Sequence, residues 1–379
     1  MEQVKYRFYP GTSSKAINKI KLIDRILAFF FRRRLKALPQ CPIQEITIVQ
    51  LAHIGDLFLM LPAIKALKSV SNYKVNLLVN SQNLAIARQL DFIDHVTVAD
   101  APYFARGKTV SYLDFIRQLR KVSTHLIFDI RGDLRNIFFI KIFTRHRLFA
   151  GYNVGGGGPL LDLVFQYNHG AHITTLFNPL FNYLKIPLPD FAKHWVSDSM
   201  PYVAVDEVFP PEFIVVHLGT GAQARKWPMA NFIKTIRDIS FIIPVYVLGT
   251  SQDITVQEHA LLKTIPNVIS CVGRYSITES VYIVKRSSLF LGLDSGFTHI
   301  AALLGRRVVV LFSGTVNSQV WSPFSVYKSQ VTLIKKTVSC DWGTGCGKLE
   351  CDDNICMKQI KPGEVVKILT QMLLTPKFN

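Results

Sequence analysis

Three observations predict an α/β chain of two doubly wound domains. Short runs rich in β-branched residues alternate with longer stretches of helical periodicity, the pattern of βαβ units around a parallel sheet. The alternation occurs twice, and between the two series it breaks at Pro187, Pro189, Pro201, Pro210 and Pro211. A length of 379 residues suits two domains better than one. The expected architecture places the two domains face to face across a central cleft. Ligands of such sheets sit beyond the carboxyl ends of the strands, so the strand-to-helix turns are where chemistry is expected.

The elements follow in order. Residues 1–40 form a basic amphipathic extension. In "INKIKLIDRILAFFFRRRLKAL", Ile20, Ile23, Leu27 and Phe30 fall at helical spacing among Lys19, Lys21, Arg25, Arg32, Arg33, Arg34 and Lys36. Such a helix either lies in the headgroup layer of an anionic bilayer or docks on the protein's own surface. Residues 41–190 form the first domain. There "EITIVQL" reads as a strand, "DLFLMLPAIKALKSV" as a helix, "YKVNLLV" as a strand and "SQNLAIARQL" as a helix. They are followed by "HVTVAD" as a strand, "SYLDFIRQLRKV" as a helix and "THLIFDI" as a strand. Residues 191–211 are the linker. Residues 212–358 resume with "FIVVHL", "MANFIKTIRDI", "IPVYVLG", "TVQEHALLKTI", "SITESVYIVKRS", "SLFLGL", "GFTHIAALLG" and "RRVVVLF". Residues 359–379 close the chain with a helix.

Composition bounds the function. Lysine and arginine number 44 against 26 acids, a net charge of +18 that suits a polyanionic partner such as nucleic acid, an anionic membrane or a phosphorylated substrate. No stripe of basic residues interleaved with exposed aromatics marks a nucleic-acid surface, so no nucleic-acid partner is expected. No run reaches the ~18 apolar residues of a membrane-spanning helix, and no signal peptide is visible, so a cytoplasmic location is expected. Cys41 and Cys271 read as ordinary core or loop residues. Cys340, Cys346, Cys351 and Cys356 lack the tight spacing of common zinc sites, and free thiols rank ahead of structural zinc.

Three turns carry polar groups between a strand and a helix. In "LAHIGDLFLMLPAIKAL", Gly55 permits a tight turn and Asp56 stands at a helix start, either as an N-cap or first-turn acid or as a general base; spacing alone favours the cap. "HLGTGAQARKWPMANF" imitates a dinucleotide fingerprint weakly, because Pro228 delays the helix. What remains is a glycine loop with Thr220, Arg225 and Lys226, suited to phosphate. In "GLDSGFTHIAALLG", Asp294, Ser295 and Gly296 precede His299; Asp294 or Ser295 could cap the helix, and a lone helix-start histidine is more often structural. A weaker fourth segment, "VYVLGTSQD", places Asp253 after a strand, as a ribose ligand or an exposed helix-start acid. No Asp-x-Asp pair occurs in the chain. A carboxylate-held divalent ion on a diphosphate commonly uses such a pair, so no metal is expected and the cations for phosphate are Arg225 and Lys226.

In order and spacing, "ITIVQLAHIGDLFLMLPAIKAL", "VVHLGTGAQARKWPMANFIKTI" and "LFLGLDSGFTHIAALLGRRVVVLFSGT" resemble glycosyltransferase family nine, the heptosyltransferases of bacterial lipopolysaccharide core assembly. "GYNVGGGGPLL" and "CMKQIKPGEVVKIL" are similar to further segments of that family, and the likeness spans about Glu45 to Leu374. The resemblance implies a GT-B fold of two Rossmann-like domains, with the acceptor on the first and the nucleotide sugar on the second. It implies inverting, metal-independent transfer from an ADP-sugar, as ADP-heptose, to a phosphorylated glycolipid acceptor at the inner face of the bacterial inner membrane, with no cofactor. By the same resemblance Asp56 is the general base, with His53 and Gly55 on the acceptor side. Thr220, Gly221, Arg225 and Lys226 hold the donor phosphates, and Asp253 meets the nucleoside. Asp294, Ser295, Gly296 and His299 hold the sugar. Departures from the family pattern are His53 in place of a small residue, Arg225 in place of lysine, and Leu218–Gly219 in place of a Pro-Gly or Pro-Ala pair. A nucleotide-sugar epimerase on the same scaffold and a non-catalytic anionic-surface binder are the alternatives.

Overall fold

The computed structural model describes residues 13–31, 42–104, 110–324, 330–340 and 345–375. Cys41, Arg32 to Arg34 and Lys36 lie outside the described residues. The chain divides into two compact units, Met1–His194 and Trp195–Asn379.

The N-terminal unit opens with helix α1 (Ser14–Phe30), capped by Ser13, whose hydroxyl accepts from the Ala16 amide. Strand β1 (Glu45–Gln50) and helix α2 (Ile54–Ser69) follow, then β2 (Lys74–Val79). The stretch "SQNLAIARQL", expected as a full helix, is a 3₁₀ turn at Ser81–Asn83 followed by the four-residue α3 (Leu84–Ala87). Asn80 accepts from the Asn83 amide and starts the segment as a tight turn, too short to propagate. The unit continues with β3 (His95–Val98), α4 (Tyr112–Leu119), β4 (Ser123–Asp129), α5 (Leu134–Phe143) and β5 (Arg145–Tyr152). It ends with β6 (Leu163–Phe165), α6 (Asn178–Tyr183) and α7 (Phe191–His194).

The C-terminal unit carries β7 (Ile214–His217), α8 (Met229–Ser240), β8 (Val245–Leu248), α9 (Val256–Lys263), β9 (Val268–Ser270), α10 (Ile277–Arg286) and β10 (Leu289–Leu293). Then come α11 (Gly296–Leu303), β11 (Arg307–Phe312), α12 (Ser318–Trp321), β12 (Val331–Lys335), α13 (Ile355–Lys358) and α14 (Pro362–Leu374).

Each unit holds one six-stranded sheet, in the orders β3-β2-β1-β4-β5-β6 and β12-β11-β10-β7-β8-β9, with every strand pair parallel. Counting β7 as the first strand of its unit makes the second order the same as the first. Both are doubly wound sheets whose strand order reverses beside the first strand, between β1 and β4 and between β7 and β10. In sheets of this order, ligands bind beyond the carboxyl ends of the strands at that reversal. The strands are buried on both faces, so they read as continuous apolar runs. Helix α2 is apolar on nearly every side for the same reason. Its residues from Leu57 to Ala66 are almost all buried, with α7 and the Ile173–Phe177 turn packed over its outer face.

Of residues 191–211, read from the sequence as linker, the first four form α7 of the N-terminal unit, and those from Trp195 on pack on the C-terminal unit. Trp195 is buried and its indole donates to the Leu303 carbonyl at 2.7 Å, and the Val203 amide donates to the Thr278 carbonyl. The C-terminal helix α14 is likewise part of that unit's core through Val365 and Leu369.

Candidate active site

In the N-terminal unit the turn after β1 is held by its neighbours before any ligand is considered. The Gln50 side chain accepts from the Ala52 amide at 2.9 Å, and Asn80 at the end of β2 donates to the Ala52 carbonyl at 2.6 Å. His53 is the N-cap residue of α2 by backbone geometry, and its side chain makes no capping hydrogen bond. Gly55 lies inside the first turn of α2 rather than in a turn before it, because the extended His53 already turns the chain. Asp56 is the third residue of that helix, so it is not the cap. Its carboxylate Oδ2 instead meets Arg131 Nη1 at 3.2 Å.

Arg131 comes from the end of β4, across the strand reversal. Its backbone amide donates to Asp129 Oδ1 at 3.1 Å, and its guanidinium lies 4.8 Å from the centre of the Phe104 ring. The next residue, Gly132, has φ +67°, and a Cβ there would sit 2.4 Å from the Tyr152 carbonyl oxygen. Only glycine lets this turn close on β5. Asp129 is fully buried, and burial pushes its carboxyl up to about 7. Asp133 caps α5 and pairs with Arg135 at 2.7 Å, whose guanidinium stacks over Tyr103. Sequence reading missed Arg131 and Asp129. The signal was present in "FDIRGD", charged residues just past a β-rich run, at the position equivalent to the "GLDSG" turn of the second unit.

In the C-terminal unit the glycine loop is pinned from behind by the chain's end. Asn354 Nδ2 donates to the Lys226 carbonyl at 2.7 Å, Trp227 Nε1 donates to the Ile360 carbonyl, and the Ala224 amide donates to the Leu349 carbonyl. A short 3₁₀ turn, Gln223–Arg225, separates the loop from α8, whose N-cap is Pro228. The glycine loop therefore does not open a helix directly, as the poor fingerprint match indicates. Arg225 Nη1 meets Asp294 Oδ2 at 3.2 Å, and the Thr220 hydroxyl donates to the Asp294 carbonyl at 3.2 Å. These contacts join the ends of β7 and β10. Arg225 Nε is buried with no hydrogen-bond partner among the described residues. Gly221 and Lys226 are exposed on the same loop.

Ser295 is the N-cap of α11, but its side chain makes no capping bond, and its buried hydroxyl has no partner among the described residues. Ser295 therefore caps α11 through its backbone alone. Gly296 opens α11, and His299, 5% exposed, sits in the helix's first turn. Asp253 does not start a helix; Thr255 and Glu258 form the capping box of α9. Asp253 closes the preceding turn, its Oδ2 accepting from the Thr250 amide at 2.7 Å and the Thr250 hydroxyl at 2.8 Å. It packs onto the glycine loop so closely that a Cβ on Gly219 would lie 2.7 Å from Asp253 Oδ2. His217, which sequence reading left out, lines the same corner. Its ring stacks on Phe297 at 4.6 Å, and burial pushes its pKa down to about 4, so it is neutral at pH 7.

The structure thus brings Thr220, Arg225 and Asp294 together by direct contact, places Asp253 against the same loop, and starts α11 with Ser295, Gly296 and His299 at the end of β10. Asp56, Gly55 and His53 belong to the other unit. Cys271, Cys340, Cys346, Cys351 and Cys356 are free thiols, and among the described residues no group of three or more His, Cys, Asp or Glu side chains is arranged to hold a metal ion. Among them, too, no helix is long and apolar enough to cross a membrane.

The model of one family, described as glycosyltransferase family 9 (heptosyltransferase), matches residues 115–344, more than half of the chain. The chain belongs to glycosyltransferase family 9. Solved structures of similar fold include a family 9 glycosyltransferase from Veillonella parvula, with a TM-score of 0.68 and 14% identity over 88% of this chain and 98% of that one. Another is the Escherichia coli heptosyltransferase WaaC with ADP, with a TM-score of 0.66 and 12% identity over 86% and 99%. A third is the E. coli ADP-heptose lipopolysaccharide heptosyltransferase II, with a TM-score of 0.62 and 14% identity over 87% and 98%. No curated protein sequence matches the chain. The two Rossmann-like units are therefore a GT-B fold, and this family 9 chain is a glycosyltransferase of heptosyltransferase type. The matched span holds β4 and the turns after β7 and β10; His53, Gly55 and Asp56 precede it.

Proposed function

We propose that this family 9 glycosyltransferase transfers a heptose or related sugar, with inversion and without a metal ion, from an ADP-sugar to a phosphorylated lipopolysaccharide-core acceptor at the cytoplasmic face of the membrane. The observation that carries the reading is the Arg225–Asp294 bridge across the strand reversal of the C-terminal unit. It fixes a guanidinium at the carboxyl edge of the sheet, where nucleotides bind in this class of fold.

Asp294 orients Arg225, and the N–H groups that Asp294 does not take face the diphosphate. Arg225 and Lys226 stabilise the negative charge that grows on the leaving group, and Thr220 and Gly221 line its path. This supply of positive charge, with no Asp-x-Asp pair in the chain, supports a reaction that needs no divalent ion. Asp253 meets the nucleoside; Ser295, Gly296 and His299 meet the sugar, and the Ser295 hydroxyl, without a partner among the described residues, is suited to that task. Asp56 takes the proton of the acceptor hydroxyl as it attacks the anomeric carbon from the face opposite the nucleotide. Arg131 aims the Asp56 carboxylate, and His53 and Gly55 border the acceptor. An ADP-containing solved relative in fold, WaaC, supports the choice of nucleotide.

The test is turnover of ADP-heptose with a heptose-deficient lipopolysaccharide acceptor in the presence of EDTA, with the product's anomeric configuration read by NMR. Inverted product at an undiminished rate is expected. Retained configuration or loss of rate on chelation would overturn the mechanism. A thermal-shift screen in which GDP or UDP stabilises the protein more than ADP would overturn the donor.

A further inference from the structure

Helix α1 carries two apolar stripes, whereas a surface helix ordinarily carries one. The first stripe is docked. Ile20 rests on Gly156, where a Cβ would lie 2.4 Å from its Cγ2, and Leu27 packs on the core cluster of the sheet. Between them Asp24 is buried and accepts from the Gly157 amide at 2.8 Å. The second stripe, Leu22, Ile26, Phe29 and Phe30, is exposed, the two rings by 68% and 73%. The alternatives of bilayer binding and self-docking, left open by the sequence, are therefore compatible on different faces of one helix.

This exposed stripe does not stand alone. Among the described residues, eleven large apolar side chains of the N-terminal unit are exposed, and nine of them belong to α1 with its C-cap Phe31, to α4 and to α5. The three helices cover the same face of the β1–β6 sheet. One core cluster contains Phe115 and Leu119 of α4 and Ile137 and Ile140 of α5, with Leu27 of α1 packed against it. Aromatic contacts tie α4 to α5, Tyr112 stacking on Phe139 at 5.7 Å. Their outward residues, among them Leu113, Phe138 and Ile142, thus belong to one outer layer. The charge of that layer is one-sided. The three helices hold seven lysines and arginines against two acids; Asp24 is buried, Arg117, Arg135 and Lys141 pair with Asp114, Asp133 and Asp162, and Lys15, Lys19, Lys21 and Arg25 of α1 are exposed. Arg32, Arg33 and Arg34 follow α1 in sequence.

We infer that α1, α4 and α5 together form the surface by which the N-terminal unit lies on an anionic lipid bilayer, with apolar side chains entering the headgroup boundary and the basic residues meeting lipid phosphates. Charge complementarity selects this occupant over a second copy of a chain that itself carries +18. The inference deepens the proposed function by placing the unit that carries Asp56 against the membrane that holds a lipid acceptor, but its test uses no acceptor and no turnover.

The experiment is co-sedimentation of the full chain with phosphatidylcholine vesicles, with and without phosphatidylglycerol. Binding only to the anionic vesicles is expected. The double variants F29S/F30S and F138S/I142S should each weaken it about tenfold or more, with melting temperatures near wild type. If either apolar pair fails to fold, the exposed-charge variant K19E/K21E should weaken binding in its place. Absence of binding by the wild-type chain overturns the inference. Full binding by F138S/I142S also overturns it, leaving α1 as the sole membrane element. A wild-type dimer in sedimentation that F29S/F30S dissolves, without vesicle binding, assigns the face to a second copy instead. Transfer to a delipidated acceptor measures the proposed reaction separately, and its failure alone leaves the membrane face untouched.

Discussion

The two units solve the same topological problem with the same chemical device, turned around. In each, an arginine–aspartate pair spans the strand reversal. In the N-terminal unit the acid, Asp56, follows the first strand and the arginine, Arg131, follows the fourth. In the C-terminal unit the arginine, Arg225, follows the first strand and the acid, Asp294, follows the fourth. Their surroundings differ. The side chains of Asp56 and Arg131 are 23% and 36% exposed, and Phe104 lies under the guanidinium. Asp294 is only 5% exposed, and its partner's loop is stitched to residues 349–360. A buried acid holds its arginine as a fixed cation, suited to a diphosphate whose position must not vary. A half-exposed pair can release its acid to an incoming hydroxyl. Under the proposed function, the reversal of the pair corresponds to a division of labour, with a cation presented in one unit and a carboxylate in the other.

The largest effect is expected from Asp56→Asn. Loss of a positioned base should lower kcat by about 10²–10⁴-fold while calorimetry shows unchanged affinity for the nucleotide donor. Near-normal turnover would break the assignment of the acid to the acceptor side. Arg225→Gln comes next. It should lower kcat/KM by about 10²–10³-fold and weaken ADP binding. It also leaves the buried Asp294 carboxylate without its cation, so denaturant unfolding should show a loss of about 1–3 kcal/mol. Unchanged ADP affinity would remove Arg225 from the donor site.

A third measurement concerns Asp129, which stands behind Arg131. Its folded pKa is raised to about 7 by burial from 3.8, so between pH 4 and 7 the folded state keeps a proton that the unfolded state releases. Stability contributed through this group falls as pH rises across that window, by at most about 1.4 kcal/mol per pH unit, and is constant above it. Asp129→Asn should remove that slope, so the variant gains on wild type from pH 4 to 7 in chemical denaturation. His217 acts in the opposite sense. Its pKa is lowered to about 4, so its contribution is complete above 6.5 and falls with pH below that. A variant that tracks wild type in parallel from pH 4 to 7 would place Asp129 in a wetter setting.

The smallest change in stability is expected from Arg131→Gln. A partly exposed pair is worth about 0–1 kcal/mol, so unfolding should shift little. Turnover should fall about tenfold with donor affinity unchanged, as expected for a residue that aims a base. A stability loss as large as that of Arg225→Gln would erase the contrast between the two pairs.

Much of this was legible in the chain. Strands buried on both faces, such as "LFLGL" and "RVVVLF", announce themselves as apolar runs, and the polar turns after β1, β7 and β10 stand out against them. The three-residue strands β6 and β9 were not legible, because a strand pattern needs about four to eight residues to show itself. Neither was β5, which opens on "RHR" and becomes buried only from Leu148. Of the two structural roles open to a helix-start acid, cap or first-turn acid, Asp56 has the second, because His53 occupies the cap position, and Arg131 takes the carboxylate. Arg131 is 75 residues from Asp56 in sequence, so no local pattern could join them.

By itself, then, the sequence determined the doubly wound architecture, the family, and the polar turns after β7 and β10, because periodicity, glycine and charge at strand ends are local properties. Only the tertiary structure decided which of those residues share a site. Parallel pairing of β1 with β4 and of β7 with β10 sets side by side strand ends that lie about 75 residues apart along the chain. It also decided the two faces of α1, since the Gly156–Gly157 turn that receives Ile20 and Asp24 lies far along the chain from the helix it holds. Long-range contacts of this kind depend on where the backbone brings residues together, and one-dimensional spacing does not encode that.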